Sequence, residues 1–278
     1  MESLNPCESI RVSITGKLSA LPPFGPAVQK LLVISLEDDS AVESFEEVFM
    51  SDPGLAAELL VMANSTAFGG RSRVETIGSA VRALGLEQVR ALAATCALRS
   101  NMRSSAHREY LPAVWAHSIA SAVAAEALGS LIGHSGLYTS GLTHDLGRLG
   151  LILAGLRPNA AEVSEEFPDI ELANQAEEKR FGLTHCQAGA LVAKAWGFPE
   201  VLATCMWGHH CATDLKPTGP RGVIAIACRM ADSLGFPEVP LSITPAWPDL
   251  GPGLARHPQL EPETLWDQIT ERIAGLTT

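Results

Sequence analysis

Gly141-Leu-Thr-His-Asp-Leu-Gly-Arg-Leu-Gly150 sets an adjacent His144 and Asp145 inside an otherwise apolar run. Apolar residues recur at three- and four-residue intervals from Gly136 to about Leu156, so the spacing predicts a helix. Neighbours on a helix point about 100° apart, and this pair can share an ion only if it sits between their two directions at a buried face. Other helices must then bring the remaining ligands. Taken alone, a His-Asp dipeptide is more simply a helix-end aspartate beside a satisfied core histidine, so the pair gains meaning only through its company.

Working outward, the 278-residue chain is 46% hydrophobic but only 5% aromatic, and its alanine, leucine and valine recur at helical rather than alternating spacing. The fold class expected is all-α, in one unit of two lobes. A net charge of −11 without any Lys/Arg run argues against a nucleic-acid partner, because phosphate binding needs clustered cations. Cys7, Cys96, Cys186, Cys205, Cys211 and Cys228 show no Cys-x-x-Cys spacing and read as reduced core residues of a cytoplasmic protein. No apolar run approaches a membrane span and the N-terminus has no signal-like h-region, so neither secretion nor insertion is expected.

Residues 1 to about 15 read as a polar lead-in. Ala27 to Leu36 carries Val28, Leu31 and Leu32 on one side, and Val42, Phe45, Val48 and Phe49 repeat the pattern after Ser40. Asp52-Pro53 is a helix start, with Leu55, Leu59 and Met62 behind it. Ile77, Val81 and Leu84 make a fourth helix closed by Gly85, and Leu86, Val89, Leu92 and Cys96 a fifth. These five helices are an expected N-terminal bundle over residues 16–107. The second lobe, 108–235, begins with an Ala-rich helix after Pro112 that carries His117. It continues through the His-Asp helix, an acidic surface-like segment from Glu162 to Glu178, and helices starting at Thr184-His185, at Glu200 and at Arg221. Residues 236–278 read as a Pro-rich tail wrapping the body, then a terminal helix from about Pro262.

Five of the eight histidines fall at or near helix ends of the second lobe: His117, His144, His185, His209 and His210. With Asp145 and Asp232 they supply imidazole nitrogens and carboxylate oxygens, a donor mixture suited to Fe, Mn, Zn or a similar divalent ion with no thiolate required. Each residue singly has a structural explanation. The order His, His-Asp, His, His-His, Asp is harder to explain that way.

That order resembles the HD superfamily of metal-dependent phosphohydrolases, and residues 16–215 resemble the HDOD family, the HD-related output domain of bacterial signalling proteins. The N-terminal lobe carries Leu21-Pro-Pro, Asp52-Pro53-Gly-Leu55, Met62-Ala-Asn64-Ser65-Thr-Ala-Phe68-Gly69 and Ile77-Gly-Ser-Ala80-Val-Arg-Ala-Leu84-Gly85. The second lobe adds Trp115-Ala-His117-Ser118, Gly141-Leu-Thr-His144-Asp145, His185-Cys-Gln-Ala-Gly189, Trp196-Gly-Phe-Pro199 and His209-His210. In HDOD proteins the HD-like half is commonly degenerate and the module is regarded as regulatory; here every position of the set is kept. By similarity to two-metal members, His117, His144, Asp145 and Asp232 would hold one ion, with Asp145 bridging to a second held by His185, His209 and His210. The cyclic di-GMP hydrolases of the HD-GYP branch place a lysine where this chain has Arg148, and a Gly-Tyr-Pro where it has Cys211-Ala-Thr-Asp-Leu-Lys216.

The resemblance implies two functions. One is a signal-transduction module with a divalent-metal site, acting through a nucleotide, phosphate or other ligand and a signalling-protein partner. The other is a metal-dependent phosphohydrolase, with Asp145 at the metals and Arg148 gripping the phosphate through its planar fork.

Overall fold

The computed structural model describes residues 6–20, 25–64, 74–103, 111–134, 136–153, 166–210, 217–251 and 253–277. Among them every regular element is helical, and the one β-type contact is an isolated bridge between Phe167 and Leu241. None of these helices is long and apolar enough to cross a membrane.

The N-terminal lobe is built from α2 (Pro26–Val33), α3 (Ala41–Ser51), α4 (Pro53–Ala63), α5 (Ile77–Leu84) and α6 (Leu86–Arg103), with α6 packed against the other four. Local chemistry sets these boundaries. Asp52 accepts from the Leu55 amide at 3.0 Å while Pro53 fills the first turn, and Thr76 and Ser79 form a reciprocal capping box at the start of α5. Asn64 closes the end of α4 by pairing with both the N–H and the C=O of Val74. The motif residues Leu21-Pro-Pro, Ser65 to Gly69 and Cys211 to Lys216 lie outside the described residues.

The second lobe comprises α7 (Leu111–Leu131), α8 (Leu137–Thr143), α9 (Leu146–Leu153), α10 (Ile170–Phe181), α11 (His185–Ala195), α12 (Glu200–Gly208) and α13 (Pro220–Ser233). Helix α7 packs along α8 and α13, and α11 packs along α9 and α12. Two of these contacts depend on glycine. A Cβ on Gly141 would lie 2.7 Å from both Ala122 Cα and Ser121 O of α7, and one on Gly147 would run into the backbones of His185 and Gly189 of α11. The helices therefore approach to backbone contact on both sides of His144 and Asp145.

Three expectations are corrected. The single helix expected from Gly136 to Leu156 is broken at His144-Asp145 into α8 and α9. The polar lead-in forms α1 (Pro6–Ser19), which buries Ile14 and Leu18 and packs on α10 and α11 of the second lobe. The end of the acidic surface segment is α10, an Asp169-capped helix that carries Glu177 inward. The C-terminal helix, α14 (Pro262–Thr277), packs against α7, and one apolar core runs from Ile14 to Ile269 through both lobes.

Candidate metal centre

His117, His144, Asp145, His185, His209 and Asp232 are all buried, none more than 4% exposed, and His210 stands half-buried beside them. The rings form a continuous file, with His117–His144, His144–His209, His209–His210 and His210–His185 centroids 4.3 to 5.1 Å apart. Residues spread over nearly 120 positions thus converge in one pocket between α7, α8, α11, α12 and α13.

Fixed acceptors orient the rings. His117 Nδ1 lies 2.8 Å from the Phe236 carbonyl, His144 Nδ1 2.6 Å from the Gly141 carbonyl, and His209 Nδ1 2.9 Å from the Met206 carbonyl. A carbonyl only accepts, so each Nδ1 carries the hydrogen and each Nε2 presents a lone pair in the neutral ring. His185 Nδ1 lies 2.7 Å from Glu177 Oε2 and is assigned the same way. Arg148 Nη2 also lies 2.9 Å from that nitrogen; both atoms are donors, so this is a contact rather than a hydrogen bond.

The Nε2 atoms meet in two pairs, His117 with His144 at 3.2 Å and His185 with His209 at 3.2 Å. Two lone pairs that close repel unless a proton or a cation lies between them. Metal–nitrogen bonds of about 2.0–2.1 Å place two tetrahedral ligands roughly 3.4 Å apart, so both pairs fit a shared ion. Two compact donor groups result: His117, His144 and Cys228, and His185, His209, His210 and Glu238.

The pairs differ electrostatically. Burial, reinforced by His117, lowers the His144 pKa to about 3, and burial likewise lowers that of His117, so this pair is neutral. Burial and Arg148 oppose protonation of His185 too, but Cys186, Glu177 and Glu238 outweigh them and raise its pKa well above the ordinary histidine range. Burial holds its partner His209 far below that range. The second pair can therefore share a proton.

Arg148 adds a full charge beside that second pair. It is 8% exposed, and its guanidinium reaches Asp145 Oδ2 at 3.3 Å, Glu177 Oε1 at 2.6 Å and Glu238 Oε1 at 2.8 Å. Burial alone would lower its pKa, yet Glu177, Glu238 and Asp145 reverse this and keep it ionised. Burial works the other way on Glu238, whose carboxyl is held well below the usual range by Arg148 and His185. Asp145 is pushed up by burial and then by Glu238, and Asp232 by burial and Glu238 as well. Asp145 Oδ1, Asp232 Oδ1 and Glu238 Oε2 are buried and accept no hydrogen bond among the described residues, an arrangement suited to a cation or shared protons.

The arrangement differs from the expected division of ligands. Asp232 Oδ1 sits 3.4 Å from His117 Nδ1, the nitrogen facing away from His144, and so stands behind the ring rather than at its Nε2 face, while the Nδ1 hydrogen goes to the Phe236 carbonyl. Asp145 belongs to neither compact group; its Oδ1 lies 3.7 Å from His185 Nε2 and its Oδ2 on Arg148. Glu238 spans the two groups, with Oε1 at 3.3 Å from His210 Nε2 and Oε2 at 3.7 Å from His117 Nε2. Arg148, read in the sequence as gripping phosphate through its planar fork, has that fork on Asp145, Glu177 and Glu238.

Four residues of the pocket were not anticipated. Cys228 precedes Asp232 by one helical turn and Cys186 follows His185 directly, so spacing could have found both. Nothing local marked Glu177 within an acidic stretch, or Glu238 within a Pro-rich one.

No curated protein matches the chain. Among solved structures, an HDOD domain protein of unknown function from Geobacter sulfurreducens superposes with a TM-score of 0.67 at 23% identity, covering 96% of this chain and 90% of that one. A Marinobacter aquaeolei protein named provisionally for signal transduction gives 0.64 at 21%, covering 99% of this chain and 65% of that one. A Shewanella amazonensis protein named provisionally as a metal-dependent phosphohydrolase gives 0.61 at 20%, covering 97% and 99%. At these identities the likeness is one of fold. The sequence pattern of the HDOD domain matches residues 21–212, well over half of the chain, which therefore belongs to the HDOD family.

Proposed function

We propose that this chain is a bacterial signal-transduction HDOD module whose HD-type pocket binds one divalent ion and acts through ligand or protein binding rather than turnover. The observation that carries this reading is Arg148. In a two-ion centre the second cation would lie among His185, His209, His210 and the neighbouring carboxylates. Here a guanidinium bonded to Asp145, Glu177 and Glu238 already supplies positive charge in that half of the pocket. A phosphate ester would also have to reach groups that are almost wholly buried, His117 at 0% and His144 at 1%.

The neutral pair His117 and His144 would hold the ion. Such an ion supplies Lewis acidity and can lower the pKa of a bound water. The chain's part is to fix the two rings through the Phe236 and Gly141 carbonyls, with Asp232 behind His117. Occupancy would tie α7 directly to His144 at the end of α8, so filling the pocket bears on how these two helices sit. That is a route from a bound ion to a protein partner.

The second reading, a metal-dependent phosphohydrolase acting on a nucleotide or other phosphate ester, draws on the carboxylate oxygens left without hydrogen bonds at Asp145 and Glu238, which could take a proton from water. Metal content after purification under reducing conditions, followed by phosphate release from a panel of nucleotides, separates the two. One ion per chain without release is the expected result. His144→Ala with Asp145→Ala should abolish uptake while the N-terminal lobe stays folded. Phosphate release that vanishes in this double variant would establish the hydrolase, and a wild-type chain that takes up no metal would sink both readings.

A further inference from the structure

Resting on the metal-binding reading, we propose that Cys228 is a sulfur ligand. The pocket then becomes a mixed imidazole–thiolate centre that selects a borderline-soft ion of the zinc class over magnesium or manganese.

Cys228 is 0% exposed and its Sγ lies 3.6 Å from His117 Nε2, the nitrogen that faces His144. The three ligand atoms of His117, His144 and Cys228 all lie within 4.8 Å of one another. A tetrahedral ion with bonds of about 2.3 Å to sulfur and 2.0–2.1 Å to nitrogen sets S and N roughly 3.6 Å apart. The observed separation matches that figure. Carboxylate oxygen also points into the same place: Glu238 Oε2 is buried without a hydrogen bond and lies 3.7 Å from His117 Nε2. Two imidazoles, one sulfur and one carboxylate give four protein donors.

A second sulfur invites comparison. Cys186 Sγ lies 3.6 Å from His185 Nε2 and 3.8 Å from His209 Nε2. That half of the pocket contains the Arg148 guanidinium, 2.9 Å from the His185 ring and bonded to Glu238 and Glu177. A further cation there would face a fixed positive charge at close range, whereas in the half around Cys228 the guanidinium reaches only Oε1 of Glu238, and no Lys or Arg touches His117, His144 or Cys228 among the described contacts. Distance alone favours Cys186 at least as much as Cys228, and it is the room for a second positive charge, away from the Arg148 guanidinium, that favours the half around Cys228. Thiolate prefers zinc-class ions, while magnesium and manganese prefer oxygen donors. The sulfur therefore sets which divalent ion the module responds to.

The test uses the full chain, stripped of metal under anaerobic reducing conditions and loaded with Co(II), Zn(II) or Mn(II). Wild type should show a near-ultraviolet sulfur-to-cobalt charge-transfer band. Cys228→Ser should lose the band while keeping weaker visible cobalt transitions, and Cys186→Ser should keep both. Zn(II) affinity should fall by at least about tenfold in Cys228→Ser, with Mn(II) affinity little changed. X-ray absorption on the zinc-loaded wild type, which needs no variant to fold, should show one sulfur scatterer. Cobalt bound without a charge-transfer band, or a band that disappears only in Cys186→Ser, would overturn the assignment to Cys228 and leave the metal site standing. Failure of the wild type to bind any of the three ions would overturn the assignment together with the reading beneath it.

Discussion

Arg148→Ala offers a direct test of whether the guanidinium serves as a resident cation. The change strips the positive charge from Asp145, Glu177 and Glu238, whose side chains are 0%, 12% and 1% exposed. Breaking a buried ion pair by removing one partner costs about 3–5 kcal/mol, because the remaining charge is left uncompensated. Three carboxylates share this cation, but Asp145 already lies high enough in pKa to relieve part of the cost by taking a proton. An overall loss of about 3–5 kcal/mol is therefore expected, or roughly 5–9 °C in Tm for a chain of this size.

The same variant should gain a metal site. Without the guanidinium, His185, His209, His210 and Glu238 form an open donor group, and the zinc stoichiometry should rise from one to two ions per chain. Zinc at a hundredfold excess over its dissociation constant should then restore about 2.7 kcal/mol. Thermal melts with and without zinc, paired with elemental analysis, read both effects. Arg148→Lys should fall between, since a compact ammonium cannot span three carboxylates. An Arg148→Ala chain as stable as wild type, with unchanged metal content, would refute the reasoning.

Other perturbations follow from the same geometry. Arg148 and His185 hold the Glu177 pKa at about 2 despite its burial, against an ordinary 4.5, so its stabilisation is present above the unfolded value and lost as pH falls toward 2. Glu177→Gln should cost about 3 kcal/mol at pH 7 and almost nothing at pH 2, read from urea unfolding across that range. Gly147→Ala drives a methyl into the α11 backbone at His185 and Gly189; a loss at or above the upper end of the usual 1–3 kcal/mol for overpacking is expected, together with weaker metal uptake. Asp52→Ala removes the Leu55 cap and should cost about 1 kcal/mol in a melt while leaving metal content untouched, because α4 is remote from the pocket.

The sequence by itself determined the helical class, because helix periodicity and capping are written in neighbouring residues. Asp52-Pro53 caps where its spacing says it should, and the helix expected at Thr184-His185 starts there, with Thr184 as its cap. It also pointed to the histidines that share the pocket, since their order along the chain resembles a known pattern. Local periodicity was less informative where tertiary contacts decide. The break at His144-Asp145 leaves the run helical in composition, and α1 is polar in sequence yet seats Ile14 and Leu18 against the second lobe.

Only the tertiary structure decided what the pocket does with its charges. Sequence spacing carried no signal that Glu177 of α10 and Glu238 of the segment after α13 would meet around Arg148. Nor could it show that Asp232 would stand behind His117 rather than at its Nε2 face. Coulombic and coordination interactions act over a few ångströms of space irrespective of separation along the chain, so the partner of a buried charge is known only once the helices are packed.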